Sequence, residues 1–150
     1  MYSNEFVKLE WFGGDVDAYQ MTCMFVELAH TWDDLIDKDK EVTEQQTNNA
    51  FALCLVYLPT NKFYQRIQAQ IIPMWLNVIS SYETANHFER EKDPHGIEIA
   101  HNLRCASGQI IAYAMYVCLG PVELRKHLPD MWKAVVFERF DEYQKEHLDV

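Results

Sequence analysis

A chain of 150 residues with 49% hydrophobic and 24% charged side chains carries enough apolar material for one domain with a real core, which excludes a disordered or low-complexity protein. Thirteen basic against twenty-three acidic residues leave a formal charge of -10, which repels nucleic acid and anionic membrane and suits a bound cation or a basic partner. Four cysteines, Cys23, Cys54, Cys105 and Cys118, form no CxxC pair and sit in apolar stretches, so they read as small buried thiols of a reducing, cytoplasmic compartment.

The opening MYSNEFVKLEWF lacks the charged and apolar blocks of a signal peptide. No apolar run reaches ~18 residues, so no membrane span is expected. Strand signals are nearly absent and apolar residues recur at helical spacing, which predicts an all-α chain.

Gly13, Gly14 and Asp15 close a short first segment and start a helix that runs to roughly Lys38. Thr43 and Gln46 have the spacing of a capping box for a second helix, which should stop before Pro59. Thr60 or Asn61 caps a third, and Pro73 in its middle should kink or split it. Asp93, Pro94, His95 and Gly96 read as a turn, followed by a helix from Ile97 to Leu119 that ends at Gly120 and Pro121. Leu128, Pro129 and Asp130 should break the chain again before a last helix from Met131 to about His147. The expectation is a single domain, an antiparallel bundle of five or six helices.

The first helix carries the clearest chemistry. Met21, Met24, Phe25, Leu28, Trp32, Leu35 and Ile36 fall on one face, which reads as core. Glu27, His30, Asp33, Asp34 and Asp37 share the opposite side, whose earlier turns carry Tyr19, Cys23 and Val26. Clustered carboxylates invite a hard divalent cation, magnesium or manganese. Acidic residues near a helix C-terminus also oppose the helix dipole, and the bland reading is a solvated acidic surface.

The string MFVELAHTWDDLIDKD resembles the first aspartate-rich helix of class I isoprenoid synthases. Leu103 to Gly108, followed by an apolar run to Gly120, is similar to the small-residue helix of the squalene and phytoene synthase branch. The resemblance implies a cut-down synthase fold in which Asp33, Asp34 and Asp37 hold Mg2+ or Mn2+ on a substrate diphosphate. It implies further ligands at Glu138, Asp141 and Glu142, with Arg104 on the diphosphate. The ligand would be a prenyl diphosphate or pyrophosphate, and any activity that of a metal-dependent prenyl-diphosphate transferase or lyase. The chain is much shorter than family members and lacks most of the helices that precede their aspartate motif, which implies a catalytically degenerate site.

Two rival readings stand beside this one. Glu27 with His30 and Glu98 with His101 are two ExxH pairs, the pattern of a ferritin-like di-iron or di-manganese site, with Glu44, Glu83 or Glu89 as bridges. Alternatively the chain is no enzyme but an acidic helical protein that binds another protein, as an assembly factor or inhibitor does, or another copy of itself. Trp11, Phe12, Trp75, Trp132, Phe137 and Phe140 are then its candidate anchors.

Overall fold

Four of the helices begin where a side chain satisfies one of their first free N–H groups. In the computed structural model, which describes Tyr2 to Asp149, a short 3-10 turn at Leu9–Phe12 precedes helix α1, Val16–Asp37. The Asp15 carboxylate accepts from the Ala18 N–H (2.9 Å) and caps α1. Thr43 and Gln46 form the expected capping box of α2, Glu44–Ala52. Asn61 accepts from the Tyr64 N–H (2.8 Å) at the start of α4, Lys62–Glu91. Asp93 accepts from the Gly96 N–H (2.7 Å) and caps α5, Pro94–Leu103. Helices α6, Gly108–Val135, and α7, Phe140–Leu148, complete the chain. The described residues are all-α, with no strand among them.

Contacts divide the chain into two compact units at Gln68 and Ala69, within α4. In the first, α1 packs on α2 and on the 3-10 turn. Trp11, Phe12, Met21, Leu53, Leu58, Phe63 and Ile67 are buried there. In the second, α5 packs on α7, and Ala85, Ile97, Ala100 and Tyr143 form a core closed by Phe88, Leu103, Phe140 and Leu148.

Several sequence expectations are corrected. The second helix does not stop before Pro59: a π-helical turn, Leu53–Tyr57, links α2 to the short α3, Leu58–Thr60. Pro73 does not split α4, and Pro129 does not break α6. Both prolines are exposed, as are Ala69 and Arg125 four residues before each. The carbonyls deprived of a helical N–H therefore lie on the solvent side, where water can serve them. The turn expected at 93–96 is instead the first turn of α5. The helix expected from Ile97 to Leu119 breaks at Arg104–Ser107, where tight hydrogen bonds such as Cys105 N–H to Asn102 O (3.1 Å) replace the α pattern. Leu35 and Ile36, assigned to the core face of α1, are each 49% exposed, and Cys54 is exposed rather than buried.

Helix α6 is two helices. Gly120 adopts φ 74° and ψ 173°, a conformation outside the helix, and Pro121 restarts the helix after it. A Cβ on Gly108 would collide with the Trp132 ring. On a straight helix those residues would stand about 36 Å apart, so the two halves fold back on one another. The stretch Pro94–Leu148 has the length and, in one window, the mean hydropathy (1.3) of a membrane-crossing helix. The break at Gly120 leaves its apolar half, Gly108–Leu119, a rise of about 18 Å, short of the ~30 Å of a hydrocarbon core.

That fold-back requires a backbone conformation open essentially to glycine alone. Gly120→Ala should therefore lower stability by about 1–3 kcal/mol although no neighbour obstructs the added methyl. Urea denaturation of the two proteins measures this, and equal midpoints would contradict it.

Candidate functional site

Placed on the structure, the acidic side of α1 is partly open to solvent. Glu27 and His30 are exposed, Asp33 and Asp34 half-buried, and Asp37 exposed. The Glu27 carboxylate accepts from the Asn49 side chain (3.2 Å), tying α1 to α2. Cys23, on the same side one turn earlier, is buried, so that side passes from core to solvent along its length. Among the described residues no three His, Cys, Asp or Glu side chains converge where one metal ion could sit.

The candidates of the second unit are engaged with one another. Glu89 on α4 is the hub, its side chain 12% exposed. Its Oε1 accepts from Arg104 Nη1 (2.9 Å) and from the Tyr143 hydroxyl (2.5 Å), while His147 Nε2 approaches at 3.9 Å. Arg104 also donates to Asn86 Oδ1 (3.3 Å), and its guanidinium lies over the Tyr82 ring, 5.1 Å from the centroid. The arginine assigned to a diphosphate is thus spent inside the unit. Such a group is held because removing either charge would strand the other away from water, at a cost of several kcal/mol. Burial, then the bond to Glu89, pushes the Tyr143 phenol far above its ordinary value, so it stays neutral and donates.

His101 belongs to the same knot. Its Nε2 donates to the Glu138 main-chain carbonyl (2.9 Å), and its ring packs on Phe140 and Tyr143. Glu98, its ExxH companion, is exposed beside His95 instead (3.6 Å). Glu89, offered as a bridging ligand, already serves Arg104 and Tyr143. Glu138 is half-buried, while Asp141 and Glu142 are exposed. Asp141 accepts from Arg139 (3.0 Å), which holds its carboxyl below the ordinary range. His147, which the sequence suggests is an ordinary surface histidine, stacks 4.4 Å from Tyr143.

Of the proposed aromatic anchors, Trp11 and Phe12 are core, and Trp75, Trp132 and Phe140 are half-buried. Phe137 alone is well exposed. The largest concentration of exposed apolar side chains lies elsewhere, on the π turn. Phe51 is 64% and Leu55 71% exposed, with Val56, Tyr57 and Cys54 also open to solvent. The reason is geometric. The Leu58 N–H bonds to the Leu53 carbonyl five residues back, and that wider turn brings the buried Leu53 and Leu58 onto one side. The residues between them turn outward. Pro59 has no N–H to give the preceding turn, and the Thr60 hydroxyl donates to the carbonyls of Val56 (2.8 Å) and Tyr57 (3.2 Å) near the end of the segment. A sequence signal existed: the run from Phe51 to Pro59, FALCLVYLP, has no charged residue and no polar face, the mark of a helix apolar all round.

Compared with protein-family models, characterised proteins and solved structures, the chain matches none.

The knot generates a pH prediction through Glu138. Burial, reinforced by Glu146, raises its carboxyl above the usual range. A carboxyl whose pKa is higher folded than unfolded favours the folded state while protonated and loses that contribution as pH rises through the folded value. Glu138→Gln should therefore raise the urea midpoint at about pH 7 and leave it unchanged near pH 3, below both values. A variant less stable than the parent at neutral pH would contradict this.

Proposed function

We propose that the chain is a non-enzymatic, acidic helical protein that docks a basic amphipathic helix on the π-helical face formed by Phe51, Leu55, Val56 and Tyr57. The observation that carries the reading is Leu55, the most exposed residue of that cluster, at the centre of an uncharged apolar segment. Leaving such side chains in water costs a folded protein roughly 1.5–3 kcal/mol each relative to burial, and contiguous exposed apolar patches mark interaction sites.

Charge selects the partner. The chain up to Gln68 holds eleven acidic and five basic residues, so a second copy would be repelled and a lysine- or arginine-rich helix attracted. Asp33, Asp34 and Asp37 enter this reading as part of that negative field, not as a ligand set. An amphipathic helix presents apolar anchors at successive turns with charged flanks, which suits a short apolar face on a unit of net negative charge.

A labelled helical peptide with one leucine face and one lysine face should bind at micromolar concentration and weaken as salt is raised. The same peptide with glutamate for lysine should not bind. Phe51→Ser/Leu55→Ser should weaken binding by at least about tenfold, two anchors at ~1 kcal/mol or more each, while Leu76→Ser, an exposed apolar position on α4, should not. Fluorescence anisotropy reads all four. Equal binding by the Phe51/Leu55 variant would overturn the proposal.

A further inference from the structure

The first unit also contains an open cleft of about 460 Å³ between the first turns of α1 and the segment from Tyr57 to Asn61, with Tyr2 at its side. The geometry points to this cleft as a binding site for an organic ammonium group, sharing Tyr57 with the docking face but none of its other residues. Three features converge on that chemistry.

Two tyrosine rings, Tyr2 and Tyr57, line it with centroids 6.1 Å apart and planes tilted by 59°, an aromatic corner. The negative faces of such rings attract a cation, most strongly one that is weakly hydrated, as an alkylated ammonium is. The single charged lining residue is Asp17, exposed and in no ion pair among the described residues. No lysine, arginine or histidine lines the cleft.

The polar walls are already committed. Gln20 donates to the Tyr2 carbonyl (2.5 Å) and accepts from the Tyr2 N–H (2.7 Å). Asn61 donates to the Asp17 carbonyl (2.9 Å), and the Thr60 hydroxyl donates to Val56 and Tyr57. The Tyr2 hydroxyl donates to Asn49 (3.0 Å), so its ring is held in place. These bonds fix the walls before any ligand arrives, which reduces the ordering cost of binding. They also engage one N–H of each amide, and with no cationic side chain in the lining the cleft offers an anion no counter-charge. Besides those amides and the hydroxyls, the cleft offers aromatic surface, a thioether from Met24 and one carboxylate, a set matched to a cation with an apolar surface.

The probe is choline, compared with its neutral carbon isostere, in which a tert-butyl group replaces the trimethylammonium. Both are titrated into the full chain at fixed ionic strength and followed by NMR at the side-chain amides of Gln20 and Asn61. Choline should give saturable shifts in the millimolar range, and the isostere should bind at least about tenfold more weakly. Asp17→Asn and Tyr57→Leu, both at exposed positions that leave the core intact, should each weaken choline by about fivefold. Absence of saturation by choline, equal binding of the isostere, or full binding in both variants would each overturn the site. Because Leu55→Ser lies outside the cleft and should leave choline binding unchanged, failure here is distinguishable from failure of the docking face.

Discussion

A single hydrogen bond, from the Leu58 N–H to the Leu53 carbonyl, sets the surface of the first unit. An α-helical turn at that place would put Leu53 and Leu58 about 140° apart, with one of them in water. Widening the turn by one residue keeps both in the core and turns Leu55, Val56 and Tyr57 outward. The cost is a stretch of poorer backbone bonding, which the Thr60 hydroxyl and the Gln65 side chain, donating to Pro59 O at 2.7 Å, partly offset. Because π turns forfeit stability, they persist chiefly where function uses their shape. Both the docking face and the ammonium cleft draw on Tyr57, which this turn positions.

The second unit shows the opposite use of polarity. Its charged hub is turned inward, with Glu89 holding Arg104, Tyr143 and the edge of His147 between α4 and α7. Replacing such a knot with apolar residues is often neutral for stability, but leaving it half-satisfied is costly. The chain gives up a continuous helix at Arg104–Ser107, and Arg104, at the break, reaches the Glu89 carboxylate.

Three helix starts were legible because capping is local chemistry: Asp15, the Thr43 and Gln46 box, and Asn61 each act over three residues. The break at Gly120 was legible for the same reason, since glycine before proline both permits and marks it. Pro73 and Pro129 misled because a proline's effect depends on whether the carbonyl it orphans can meet water, which burial decides and sequence does not show. The π turn was invisible to a 3.6-residue periodicity. The acidic side of α1 was legible as a run of carboxylates, but its convergence on a metal needed partners from other elements, and no such group forms among the described residues. Arg104 was expected on a diphosphate and His101 on a metal. Their partners lie 15 and 37 residues away, beyond any local pattern.

A basic helix docked on the π turn would leave its footprint in the amide spectrum, residue by residue. In an NMR titration with a lysine-faced amphipathic peptide, the largest amide shifts should fall within residues 51–57, with Leu55 foremost. Largest shifts along the exposed apolar stripe of α4 at Ile72, Leu76 and Ile79, or at the acidic end of α1 alone, would contradict it.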